Sequence, residues 1–307
     1  MAFTAKDVAE LRRQTGCGMM DCKKALTEAN GDFAEATKIL REKGMATAAK
    51  KQDRIAAEGL VSVLTEGNVT AMAEVNTETD FAAKSPAFQT FMNDLLKAII
   101  AGRPANVEDL LTKKMADGRT VDEALKEISG AILHEKVSIR RFVIVEGIVS
   151  TYIHGAGETG IVVKFDTTPA VAENPAFAAF AKNIALQAAA IPSLYVDRAA
   201  VPQSALDEEM EILTKQMQQD PKFAGKPEKV LKGIVQGKLG KYYETNCLME
   251  QAYVKDDSVT VGKYVAAAAK ELGGDIKVVS FIRYDKGEGI QKKEEDFAAE
   301  IEMMVKG

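Results

Sequence analysis

Over roughly the first 45 positions, apolar residues recur every three or four places, the spacing of short helices with one inward face. Val8 and Leu11 open the first stripe, and Thr4 with Asp7 has the form of a capping box. "TGCG" (15–18) and "NGD" (30–32) break the pattern into three helices. Asp32 with Glu35 caps the third, and Gly44 reads as its C-terminal stop. Residues 1–45 are thus predicted as a helical module with a marginal core, followed by a linker over 46–57. Lys50, Lys51 and Arg54 in that linker read as a solvated face.

The period then changes to two. Alternation in "LVSVLTEGNVTAMAEV" and again in "IVSTYIHGAGETGIVVKF" predicts two strand hairpins. They belong to an internal repeat. "AEGLVSVL" (57–64) resembles "VEGIVSTY" (145–152), and Thr79, Pro86, Phe88 and Phe91 recur as Thr168, Pro175, Phe177 and Phe180. Later, Thr120-Val121 recurs as Thr260-Val261, and "KVSIRRF" (136–142) resembles "KVVSFIRY" (277–284). Each copy reads as two strands, a helix opening at its proline, another helix and a last strand. The copies span 58–146 and 147–289.

The offset between matching positions lengthens between 184 and 260, so the second copy carries an insertion there. Leu206, Met210, Leu213 and Met217 form one heptad-like stripe, and Leu231, Val235, Leu239 and Tyr242 a second. "QQDPKFAGKPEK" breaks the helix between them. The reading is an antiparallel helical hairpin over about 200–245, each arm of about 15 residues reaching roughly 22 Å. A helical module over 290–307 closes the chain. The fold class is therefore α+β: an N-terminal three-helix module, a duplicated core with antiparallel sheets, an inserted hairpin and a C-terminal helix.

Composition narrows the function. The 307 residues carry a net charge of −5 and 6% aromatics with no Trp, which gives neither the basic footprint nor the stacking platforms of a nucleic-acid binder. No apolar run is long enough to span a bilayer. Three sparse cysteines, Cys17, Cys22 and Cys247, fit a reducing compartment, and the N-terminus lacks the apolar core of a signal peptide. The expected location is cytoplasmic.

Motifs for bond chemistry are lacking. "GAGETG" (155–160) has the dinucleotide spacing but leads into a strand, so it reads as a hairpin turn without a helix N-terminus for phosphate. There is no G-x-x-x-x-G-K-[ST] loop, and His134 and His154, the only histidines, complete neither a metal set nor a triad. No cofactor, metal or direct nucleotide binding is expected, and no enzymatic activity.

Recognition is the better-supported theme. Met19 and Met20 stand about 100° apart on one helix, so either one packs in the small core or both offer soft contacts to a partner. In "NTETDFAAKSPAF" (76–88) the repeat isolates Asp80 and Phe81, whose counterparts are Pro169 and Ala170. A phenylalanine not demanded by the shared core is either peripheral packing in one copy or a projecting contact for another protein. A small-molecule enzyme built on the duplicated core and a general binding scaffold stay open as other classes.

Several motifs occur together and in order: "LRRQTGCGMMDCKKALTEANGD", "EVNTETDFAAK", "IRRFVIVEG", "YIHGAG", "FIRYDKGEGI" and "DFAAEI". Taken over essentially the whole chain, they resemble the translation elongation factor Ts family, exchange factors for the GTPase elongation factor Tu. The resemblance implies that 1–45 is similar to a ubiquitin-associated domain and that the hairpin is a protruding coiled coil. It implies a complex with elongation factor Tu, 1:1 or 2:2, with no nucleic acid and no membrane. It also implies that Asp80 and Phe81 wedge against the GTPase near its magnesium and phosphate sites, Phe81 in an apolar cleft and Asp80 at its rim, with Thr79 of the same motif among the partner-binding residues. By the same likeness Met19, Met20 and Lys23 touch the nucleotide domain, His154 belongs to a contact region of the core, and Val254 faces another domain of the partner.

Overall fold

A computed structural model of the chain describes residues 3–220, 222 and 228–291. The C-terminal module expected over 290–307 lies outside the described residues from 292 on, as does most of the break between the hairpin arms. The described chain forms two compact units. The first holds residues up to Ile144, Ile153–Gly160 and the segment from Tyr284; the second holds Val145–Tyr152 and Ile161–Arg283.

The first unit begins with helices α1 (Ala5–Thr15), α2 (Met19–Glu28) and α3 (Phe33–Ala49). Thr4 and Asp7 close a reciprocal capping box on α1, and Asp32 caps α3 through the Glu35 amide. Leu11, Cys22, Ala25, Leu26 and Ala36 have no exposed surface, so the small core is tightly closed. Two linker expectations are corrected. Gly44 does not stop α3, which continues to Ala49: its missing side chain lets a single π-turn over Ile128–Ile132 cross directly on the helix. A Cβ on Gly44 would lie 2.8 Å from the Ala131 Cβ, and one on Gly130 would strike the Gly44 carbonyl. Lys51 is not part of a solvated face but 7% exposed. Burial and Arg54 lower its pKa, while Glu78 and Glu135 pull the other way.

Strands β1 (Glu58–Glu66) and β2 (Val69–Thr77) then pair antiparallel from Glu58↔Thr77 to Glu66↔Val69, turning at Gly67 with φ 60. Helices α4 (Asp80–Lys84), α5 (Pro86–Gly102), α6 (Val107–Thr112) and α7 (Val121–Glu127) follow, then β3 (Val137–Glu146). The sheet order is β1-β2-β3. Ser85 caps α5 and Pro86 occupies its first turn, where a missing amide costs nothing. Phe88, Leu95, Leu96 and Ile99 from α5 pack on Ala71, Ala73 and Val75 of β2 in the main core of this unit.

The second unit repeats the plan. Strands β4 (Ile148–His154) and β5 (Thr159–Thr167) precede the short helix α8 (Pro169–Ala172) and the long α9 (Pro175–Ala190). After the insertion come β6 (Ala252–Tyr253), β7 (Asp256–Thr260), α12 (Val261–Leu272) and β8 (Ile276–Asp285), giving the order β4-β5-β8. Thr168 caps α8 as Thr79 caps α4, and Thr260 caps α12 as Thr120 caps α7. Phe165, Phe177 and Phe180 form an aromatic cluster with centroids 5.5–6.0 Å apart. The insertion supplies α10 (Gln203–Gln219) and α11 (Glu228–Asn246), which pack on each other with Leu213 and Met217 buried.

Candidate functional site

Helix α4 has only five residues, too few to be stable without help from its surroundings. Its cap residue, Thr79, is held at every polar atom. The hydroxyl accepts from the Ala82 amide at 3.2 Å and donates to Glu135 Oε1 at 2.7 Å. The Thr79 amide donates to Glu135 Oε2 at 2.9 Å, and its carbonyl accepts from the Thr77 hydroxyl at 2.7 Å. Beside it, the Lys136 amide donates to Glu78 Oε1 at 2.5 Å. The strand exit is thereby laced to the segment that enters β3.

Two residues into this rigid start, Phe81 is 82% exposed. Its counterpart Ala170 is exposed too, whereas Phe88, Phe91, Phe177 and Phe180 are all buried. The peripheral-core reading of Phe81 is thereby set aside. Asp80 accepts from the Lys84 ammonium at 2.6 Å across one helical turn, and this bond holds its carboxyl below the usual range despite partial desolvation. An acid and a bare aromatic ring thus share the first turn.

A groove of about 1090 Å³ runs beside them, with Ile55 and Leu60 as apolar lining and Gly155, Ala156 and Glu158 on one wall. That wall is the "GAGETG" stretch, which is a turn into β5 and not the start of a helix. The turn is pinned to β1 by the Val61 amide, which donates to the Gly157 carbonyl at 2.8 Å. His154 is exposed at the end of β4, immediately before this wall, and its carbonyl accepts from the Gly157 and Glu158 amides.

Met19 is 42% and Met20 61% exposed, so neither fills the small core; Cys22, Ala25 and Leu26 do. Lys23 is exposed on the same helix. This helix connects to the Phe81 region through Asp21, whose carboxylate lies 3.6 Å from His134 Nε2, the residue before Glu135. Val254 sits in the second unit, 44% exposed in the turn between β6 and β7, with its amide donating to Gln187 Oε1 at 2.8 Å. Glu135 and Gln187 carry no sequence signal of their own: Glu135 sits in the short polar run His134-Glu135-Lys136 and Gln187 is a lone polar residue in an apolar run, and only the fold aims each.

All three cysteines are buried free thiols, and burial raises each pKa, that of Cys247 to about 11. Among the described residues no group of three or more His, Cys, Asp or Glu side chains could hold a metal ion. Among the same residues no helix is long and apolar enough to cross a membrane.

Residues 78–288 match the family described as Elongation factor TS. The chain is 44% identical over 312 residues to elongation factor Ts of Clostridium kluyveri, with 99% of each chain covered. It is 42% identical over 312 residues to elongation factor Ts of Syntrophotalea carbinolica, with 100% of each covered.

Proposed function

The chain belongs to the elongation factor Ts family of protein-biosynthesis elongation factors, and from that premise we propose that it is a guanine nucleotide exchange factor for elongation factor Tu. It binds the GDP-loaded GTPase and promotes GDP release by inserting Phe81 into an apolar cleft, with Asp80 accepting hydrogen bonds at the rim. Met19, Met20, Lys23, His154 and Val254 extend the contact. The helices α1–α3 serve as a ubiquitin-associated-like module and α10–α11 as a coiled-coil hairpin. The place of action is the cytoplasm.

The carrying observation is the 82% exposure of Phe81 on a helix start fixed at every polar atom of its cap. A projecting aromatic on a held backbone contributes burial energy on docking at the cost of ordering one side chain and not a whole segment. The mechanism is linkage and not bond chemistry. A factor that prefers the nucleotide-free GTPase weakens GDP binding by the same factor by which GDP weakens its own binding. Burying one phenylalanine supplies about 1.5–3 kcal/mol, which is about one to two orders of magnitude in affinity. The test is to mix the protein with elongation factor Tu carrying fluorescent GDP and to follow release against excess unlabelled nucleotide. Release that accelerates with protein concentration and saturates is expected; release unchanged at every concentration overturns the proposal.

A further inference from the structure

We propose that Glu135 is the positioning residue of the exchange site: its carboxylate, bridging the amide and the hydroxyl of Thr79, sets the direction in which Phe81 is presented. The inference rests on the exchange-factor reading for its kinetic consequence, but its structural half stands alone. Phe81, at 82% exposure, has almost no packing to orient it, so the backbone of α4 must do so. That backbone is one short helix whose start depends on its cap.

Glu135 is well built for this task. One carboxylate takes two donors from the same residue, at 2.7 and 2.9 Å, which fixes the cap in both position and rotation. By donating to Glu135, the Thr79 hydroxyl turns its lone pairs toward the Ala82 amide, so the two bonds are cooperative. Glu135 is anchored in turn: its carbonyl accepts from the Ser129 hydroxyl at 2.6 Å. The preceding His134 has φ 54, a left-handed conformation that brings the chain back toward β2. The following Lys136 donates its ammonium to the carbonyls of Gln52 and Arg54 at 2.6 and 2.7 Å. The clamp is therefore tied to the α3–β1 connection and does not hang from a free loop.

Loss of the clamp lets α4 fray and lowers the fraction of molecules that present Phe81 in docking geometry; apparent affinity falls by that fraction. Glu135→Ala and the milder Glu135→Gln are compared with the parent protein, alone and combined with Phe81→Ala. Amide hydrogen exchange at Ala82 and Ala83 in the unbound protein is the first readout, and the concentration dependence of GDP release from elongation factor Tu the second. For Glu135→Ala the expected outcome is about tenfold faster exchange at Ala82 and about tenfold weaker half-saturation, equivalent to about 1.4 kcal/mol. Maximal release should be retained, and Glu135→Gln should recover part of both effects. In the Phe81→Ala background the Glu135 changes should add much less to the release defect, leaving only the share carried by Asp80 on the same helix. Unchanged exchange at Ala82, or an equal release defect with and without Phe81, overturns the proposal. If the parent protein itself fails to speed release, the exchange-factor reading falls, and amide exchange alone decides whether Glu135 holds α4.

Discussion

Gly130 lies so close to Gly44 that a methyl group on the first would strike the carbonyl of the second. This contact joins α3 to the π-turn over Ile128–Ile132, and the π-turn leads directly to His134 and Glu135. The N-terminal helices and the residues that hold Thr79 therefore share one packed crossing. Gly130→Ala should destabilise the protein by about 1–3 kcal/mol, the range for overpacking a closed interior. Thermal unfolding measures the loss. A melting temperature equal to that of the parent protein would show that the helices slide apart freely.

The repeat made much of this architecture legible. The Thr-Pro-Phe-Phe spacing identified both long helices and their buried rings, because a core that is used twice must be written twice. It also marked Phe81 as surplus to the core. Gly44 misled for a physical reason: glycine ends helices by its freedom at positive φ, yet here it serves close approach. Lys51 misled in the same way, since a lysine in a polar run looks solvated until the fold covers it. Glu135 and Gln187 could not be seen at all, because their meaning lies in backbone atoms brought to them from distant positions.

Phe81→Ala should slow GDP release at subsaturating protein by about one to two orders of magnitude, the equivalent of about 1.5–3 kcal/mol of lost burial. Because the ring is 82% exposed, the melting temperature should not fall. Stopped-flow release and thermal unfolding on the same samples separate the two effects. Slower release accompanied by a lower melting temperature would point to lost folding and not to a lost contact.

Glu74 should contribute to the loss of stability of the first unit in acid. Its carboxylate has no exposed surface and accepts from Arg140 Nη1 at 3.0 Å, Arg141 Nε at 2.6 Å and the Gly287 amide at 2.8 Å. Burial pushes its pKa up, but these bonds outweigh burial and hold it below the ordinary 4.5. Its contribution is thus complete above pH 4.5 and is lost as pH falls through the lower folded-state value. Glu74→Gln should cost about 3–5 kcal/mol at neutral pH, since it leaves two partly buried guanidinium groups short of a partner. It should also flatten the decline of stability in acid. Parallel pH profiles for variant and parent, measured by denaturant unfolding, would remove Glu74 from this role.

Gln187 does for the second unit what Glu135 does for the first. It is fully buried, its carbonyl oxygen accepts from the Val254 amide at 2.8 Å, and its amide nitrogen donates to Gln251 Oε1 at 3.1 Å and the Ala252 carbonyl at 3.2 Å. Gln251 donates onward to the Ser193 hydroxyl at 2.9 Å and to the Thr245 carbonyl at 3.3 Å, so the turn bearing Val254 is joined to the end of α11. Gln187→Leu keeps the apolar contacts but strands the buried Gln251 Oε1 and leaves the partly buried Val254 amide and Ala252 carbonyl without their partner, at about 1–3 kcal/mol for the buried group and less for the two that water can reach. The variant should therefore melt earlier, and exchange of the Val254 amide with solvent should quicken more than that of amides in α12. Gln187→Glu supplies the acceptor for Val254 but not the donor for Gln251, so it should protect the Val254 amide better than leucine while still losing stability. Equal protection of Val254 in both variants would mean that the turn is held by its strands and not by the glutamine.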